Sequence, residues 1–429
     1  MSAPPRAALL RDPNFAWLMA GGVISGLGDQ FTMIALPWLV LKLTGDPLAL
    51  GMIVAVMGVP RAILILFGGA LVDRYSPKQV LMLTKHVNTV LLGALAALVY
   101  SGRATLPLVT LLAVILSLAS AFSIPSGTSM LPRAVAPGRL QAANGMMMAI
   151  RQLTMLAGPL LAGLLFALAG DGSNGVQHMR GLALAFGFDC LSFAVSAWTL
   201  AMVKPLPLPA EQPDAEKQPL LRAVGAALAF VWRDTLLRTC LVYWGLCACV
   251  VGGVMQVALP LLASNRLHGA SALGLLMGVH GAGALAGMAL SGMLGRRRLG
   301  SLGLTLLCVD GAAGLLLAPL GLVTASWQGM LVLGTIGVLG GFVQVAVFTW
   351  IQQRVPQAML GRMMSIFMFI FMGLTPLSAA VVGWLASWLT LSTLFAGAGL
   401  LVSGGALLAW LLTPMRTLTD VPPAGLPTN

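Results

Sequence analysis

Long apolar stretches, interrupted by very few charges, dominate this chain and leave it few ways to fold. Of 429 residues, 58% are hydrophobic and 8% charged, against about 25% charged in an average soluble domain. Such a chain cannot clothe a globular surface in polar groups, so lipid has to serve as its solvent. In hydrocarbon every backbone N–H and C=O must be satisfied internally, which leaves helices or closed barrels. The apolar runs are continuous rather than alternating, and that predicts helices. About 20 apolar residues cross the hydrocarbon. Twelve such stretches fit, near 15–42, 47–73, 79–101, 105–132, 139–169, 180–202, 237–264, 270–294, 299–322, 326–353, 358–387 and 390–412. The first is too long for a cleavable signal, and no small-residue cleavage pattern follows it.

The chain also repeats itself at an offset of 223 positions. Ala35-Leu36-Pro37 returns as Ala258-Leu259-Pro260, Gly51 as Gly274, Gly69 and Arg74 as Gly292 and Arg297, and Gly138-Arg139 as Gly361-Arg362. Ala and Leu matches are cheap in so apolar a chain; Pro, Gly and Arg matches at one gapless offset are less so. A two-fold repeat filling a hydrophobic chain is expected of a secondary transporter, with its binding site between the halves. The expected class is an all-α membrane protein of twelve transmembrane helices, in two six-helix halves related by pseudo-two-fold symmetry.

Charge supports that count. The net charge of +12 would suggest nucleic acid in a soluble protein, but here it orients the chain. Sorted loop by loop, 18 of the 24 Lys and Arg residues, Lys78 and Lys85 among them, fall on one side and four on the other; Arg61 and Arg151 stay inside spans. The positive-inside rule then puts both termini in the cytoplasm. The expected organisation is an N-terminal bundle over 1–202, a Pro-rich linker with an interfacial helix over 203–236, a C-terminal bundle over 237–412, and a tail over 413–429.

The loop after the second span reads Gly69-Ala70-Leu71-Val72-Asp73-Arg74-Tyr75-Ser76-Pro77-Lys78. It resembles the G-x-L-A-D-R-x-G-R-K signature of the major facilitator superfamily, with Val72, Ser76 and Pro77 as departures. The resemblance implies a conformational latch built from Gly69, Asp73, Arg74 and Lys78, asymmetric because Arg296 replaces the acidic residue in the second half. Gly28-Asp29-Gln30-Phe31, Leu43-Thr44-Gly45-Asp46-Pro47 and Leu131-Pro132-Arg133 with Arg139 through Gly145 are similar to the branch holding enterobactin exporters and macrolide-efflux permeases. Gly158-Pro159 with Gly163 partly matches the helix-packing motif that the family associates with export. The fourth span lacks the buried Arg typical of many proton-coupled drug exporters.

Ionisable residues inside spans are costly and tend to face a cavity or a partner. Five lie near mid-span: Asp29, Arg61, Arg151, Asp189 and Asp310. Asp29 is the foremost candidate for a proton site, with Arg61 and Arg151 as modulators or anion contacts; a fixed structural ion pair would look the same in sequence. For Asp189 and Asp310 a structural role is favoured, and His280 is a weaker candidate still. Gln30, Asn144, Gln152, Gln256 and Gln344 are candidates to line a substrate cavity, although interhelical hydrogen bonds would explain each equally well. The Met-rich runs Met146-Met147-Met148 and Met363-Met364 read as core or lipid-facing filler.

Other classes find little support. No phosphate-cradling G-x-x-x-x-G-K-[ST] stretch occurs, and the run Gly281, Gly283, Gly287 lies inside a span, where it reads as a packing face. Cys247 and Cys249 have the wrong spacing for a zinc pair. No enzyme, cofactor, metal or nucleic-acid partner is expected. The expected function is a monomeric, proton-coupled exporter of small hydrophobic or amphipathic compounds in a plasma membrane, the bacterial inner membrane by preference. An uptake carrier or lysolipid flippase of the same fold is the alternative, and a non-transporting sensor or scaffold the distant one.

Overall fold

The computed structural model describes residues 9, 11–74, 76–170, 179–206, 220–267, 269–294 and 300–418. Side chains at 65–74, 137, 220–224, 226–227, 357–362, 365, 368 and 372 fall outside that description. Six helices make up the first half of the chain: α1 (Pro13–Thr44), α2 (Pro47–Arg74), α3 (Pro77–Tyr100), α4 (Leu106–Ala134), α5 (Leu140–Ala169) and α6 (Arg180–Met202). A short helix, α7 (Leu220–Arg233), follows where the interfacial helix is expected. Then come α8 (Thr235–Gly253), a π-turn (Val254–Ala258), α9 (Leu259–Asn265), α10 (Ala270–Leu294), α11 (Leu302–Leu320), α12 (Ser326–Arg354), α13 (Gln357–Ala386) and α14 (Leu391–Leu412). With α8 to α9 counted as one span, 12 described helices are long and apolar enough to cross a membrane.

Local chemistry starts and stops these helices. Asp12 caps α1, accepting from the Asn14 amide at 3.0 Å and the Phe15 amide at 3.5 Å, and Pro13 costs nothing at the first helical position. Gly45 ends α1 at φ 64°, a left-handed conformation that only a residue without Cβ reaches freely. The repeated Ala-Leu-Pro behaves differently in its two copies. Pro37 sits inside a continuous α1, whereas Pro260 follows the π-turn at Val254–Ala258. A proline lacks the N–H for the carbonyl four residues back and crowds it with its ring; a local widening of the helix is one way to relieve that clash.

Contacts divide the chain into two compact units, the first Met1–Pro213 with Leu259–Gly278 and the second Asp214–Ala258 with Val279–Asn429. The covalent repeat and the packed units therefore have different borders. In the first unit α1 packs most extensively on α6, and α3 on both α6 and α4. One of its cores gathers Phe15, Leu81, Met130, Leu131 and Leu200. In the second unit α11 lies along α14 and α8 along α13, around a core that includes Trp244, Trp350, Ile351 and Phe367. Large apolar side chains such as Leu161, Leu164 and Leu168 of α5 stay exposed, as a lipid-facing surface requires.

Candidate functional site

The site begins with a stripe of small residues. Gly21, Ser25, Gly28 and Thr32 recur on α1 at intervals of four, three and four, which places them on one helical face. Opposite them on α6 stand Asp189, Ser192, Ser196 and Thr199. A Cβ on Gly28 would collide with the Asp189 carboxylate and the Ser192 hydroxyl, and one on Gly21 with Thr199. The glycines thus let α6 bring hydroxyls and a carboxylate right against the α1 backbone.

Polar groups in this seam are satisfied by one another, as apolar surroundings demand. Thr32 Oγ1 donates to Asp189 Oδ2 at 2.5 Å, and Ser192 Oγ to Asp189 Oδ1 at 3.0 Å. Ser196 Oγ donates to the Gly21 carbonyl at 2.7 Å, and Ser25 Oγ to the same carbonyl at 2.9 Å. Asp189 is only 1% exposed.

Asp29 lies one residue beyond Gly28 and is turned away from the seam. It sits near the middle of α1 yet is exposed. Arg61 of α2 and Lys85 of α3 both act on it electrostatically, and Asp29 in turn acts on Asp189. An exposed carboxylate in mid-helix that feels charges from α2, α3 and α6 is the most conspicuous ionisable group of the first unit. Arg61 also feels Arg151 of α5, which is itself exposed. The Nε of Arg61 is buried without a hydrogen-bond partner among the described residues. On α5, Asn144, Met148, Arg151 and Met155 share one exposed face at helical spacing.

Lys85 is a correction. Loop-by-loop sorting places it with the cytoplasmic basic residues, but it is 8% exposed and points into the α1–α6 seam, where its amine donates to Ser196 Oγ. Its position early in α3 made it look like an interfacial charge. The legible sign of its burial was the run of small polar residues around it: Thr84, Asn88 and Thr89 on its own helix, and Ser192 and Ser196 on α6. Asp189 is likewise drawn into this group, through Thr32 and Ser192.

The remaining candidates scatter. Lys78 donates to the Ala201 carbonyl at 3.0 Å and the Val203 carbonyl at 2.7 Å, satisfying the C-terminal end of α6, where a cation is favoured. The side chains of its expected latch partners, Gly69, Asp73 and Arg74, lie outside the described residues. Gln30 packs its Cβ and Cγ against Gly158. A Cβ on Gly163, in turn, would come within 3.2 Å of the Gly274 Cα, so Gly158-Pro159 and Gly163 do sit at close helix approaches. Asn144 Nδ2 donates to the Leu140 carbonyl of its own helix at 3.1 Å, and Gln152 lies half-buried on α5. In the second unit His280 Nδ1 meets the Leu333 carbonyl at 3.2 Å, while Gln256 falls in the π-turn and Gln344 is exposed. Asp310 Oδ2 and the Tyr243 hydroxyl are both buried and neighbour one another, without a well-formed hydrogen bond among the described residues. No group of three or more His, Cys, Asp or Glu among the described residues could hold a metal.

At the cytoplasmic end expected for α8 lies an ion pair that sequence reading does not anticipate. Arg354 donates through Nε to Asp234 Oδ2 at 2.7 Å and through Nη2 to Oδ1 at 3.1 Å, while Asp234 also caps α8. Burial works to raise the Asp234 carboxyl, but the Arg354 fork and the Leu237 and Leu236 amides hold it below the usual carboxylate range.

Comparison with known proteins fits this architecture. The enterobactin exporter EntS of Citrobacter koseri is 28% identical over 418 residues, covering 96% of this chain and 94% of that protein. The crystal structure of the nucleoside transporter NupG superposes with a TM-score of 0.68 at 13% identity, over 94% of this chain and 98% of its own. A bacterial homologue of the iron transporter ferroportin, in an inward-facing state, gives 0.67 at 19% identity, over 92% and 98%. At those identities the two structures speak for the fold alone. The Major Facilitator Superfamily profile matches residues 18–379, most of the length of the chain, and the chain belongs to the Major Facilitator Superfamily.

Proposed function

We propose that this protein exports small hydrophobic or amphipathic compounds across the bacterial inner membrane by alternating access of its two halves, driven by proton exchange at Asp29. The reading takes export from its likeness to the enterobactin exporters. It takes the proton site from one observation: an exposed mid-helix carboxylate in the field of Arg61 and Lys85. Such a group can alternate between a protonated form and a form paired with its cations as access switches sides. Both termini would be cytoplasmic and the working unit a monomer.

Everted vesicles loaded through an imposed proton gradient, with enterobactin as the probe, test the proposal. Gradient-dependent uptake into the vesicles is expected for the unaltered protein and should fall about tenfold or more in Asp29→Asn, the scale of losing a group that acts in the coupled step. Uptake unchanged in that variant would remove Asp29 from the mechanism.

An uptake carrier or lysolipid flippase is the second reading. The unpartnered Arg61 Nε beside Arg151 favours it, since two guanidiniums could receive an anionic head group. Accumulation of labelled probe in expressing cells against deleted cells decides the direction; net accumulation would replace export with uptake.

A further inference from the structure

Helix α7 of the second unit takes no part in spanning. It has 14 residues, and at about 1.5 Å of rise each they fall short of the roughly 30 Å of hydrocarbon. Its inner face is accounted for: Val231 is buried and Phe230 packs against the core that holds Leu237, Met415 and Leu418. The outer face is apolar and open. Gly225, Leu228, Ala229 and Trp232 recur at intervals of three, one and three, which sets them on one side, and all four are exposed. Leu228 is 49% accessible and Trp232 69%. Water solvates such an indole poorly, whereas a membrane interface accepts its ring and its N–H together.

Cations stand at the same end of the helix. Arg233 follows Trp232 and is exposed. Arg238, at the start of α8, lays its guanidinium over the Trp232 ring, 5.4 Å from the centre. It also donates through Nη1 to the Trp232 carbonyl at 3.2 Å, which uses one of its five N–H donors. Of the two carboxylates described in the second unit, Asp310 lies within α11. Asp234 already holds the Arg354 fork on both oxygens and the Leu236 and Leu237 amides on Oδ1. Neither of those carboxylates is therefore the counter-ion of Arg233 or Arg238.

We propose that this corner binds the phosphate of an anionic phospholipid in the leaflet on the basic-loop side. Arg233 and Arg238 take the headgroup, while Leu228 and Trp232 lie among the ester groups and first acyl carbons. A guanidinium suits a phosphodiester in shape and charge, and a helix lying in the interface presents both kinds of group at that depth. No covalent bond changes. The site is separate from Asp29 and does not depend on which compound the protein carries.

Bromolipid quenching of the full-length protein in phosphatidylcholine vesicles tests this, with phosphatidylglycerol as the anionic probe. Either lipid is supplied with bromine on its upper acyl carbons, and the Trp232 signal is the difference from Trp232→Phe. Half-quenching should need about fivefold less brominated phosphatidylglycerol than brominated phosphatidylcholine, the enrichment that one basic side chain gives near an anionic surface. The Arg233→Gln/Arg238→Gln double variant should be quenched equally by both lipids, and the Lys pair at the same positions should regain most of the preference. Equal quenching in the unaltered protein overturns the proposal, because the helix then lies in the interface without selecting a headgroup. Quenching by neither lipid overturns it too, since something other than lipid then covers the face. If the double variant does not assemble, the exposed Arg233 decides through Arg233→Gln: a reduced preference supports the site and an unchanged one overturns it.

Discussion

Asp234 works twice, capping α8 through the Leu236 and Leu237 amides at 3.1 Å and gripping Arg354 from the end of α12. The guanidinium also lies over the Trp350 ring, 5.5 Å from its centre. With the two side chains 14% and 18% exposed, the pair is partly shielded from water, and Arg354→Ala should cost about 2 kcal/mol by stranding the carboxylate. Thermal unfolding in detergent measures it. The pH dependence has a definite sign. The folded-state carboxyl sits below its unfolded value of about 3.9, so its contribution is complete above that value and is lost as pH falls through the lower folded one. Arg354→Ala should flatten that acid limb; an acid limb identical to that of the unaltered protein would deny the pair its role. Neither residue was legible as a partner, because 120 positions separate them and each alone reads as a loop charge. Asp29, Arg61 and Arg151 were legible, since a charge in mid-span is conspicuous against apolar neighbours.

At the scale of elements, glycine seams set how closely helices approach. Gly283 and Gly287 of α10 interlock with Gly337 and Gly341 of α12: a Cβ on Gly287 would run into the Val338 carbonyl, and one on Gly341 into the Ala284 carbonyl. These obstacles are backbone, which cannot swing aside. Gly287→Val should therefore lower stability by about 3 kcal/mol or more, if the protein assembles at all. Gly404→Ala on α14 is the control, because a Cβ there meets nothing within 4 Å, and alanine suits a helix better by about 1 kcal/mol. Comparable losses from both, in melting temperature or yield, would mean that the seam does not depend on close approach. The glycine-rich run of α10 already reads as a packing face in sequence. Its partner could not be named there, since periodicity shows which face is small and not which helix lies on it.

For the whole molecule, the count of spans and the direction of the loops come from chemistry that needs no tertiary contact. Reporter fusions or cysteine labels at residue 2 and residue 425 should both report the cytoplasmic side, as the basic loops require. Tails found on opposite sides would break the six-plus-six arrangement. The packed units tell a different story from the covalent repeat, because 259–278 joins the first unit although it belongs to the second copy.

Hydropathy, a two-fold repeat and the distribution of Lys and Arg were enough to determine a twelve-helix membrane bundle, since each depends on the summed transfer of residues between water and lipid. Tertiary structure alone decided which polar groups meet. Gly21 and Gly28 had to be matched with Ser196, Ser192 and Asp189 across about 160 or more positions before Lys85 could be seen as buried rather than interfacial. Burial of a charge belongs to the helices around it, and one helix's own pattern does not contain them.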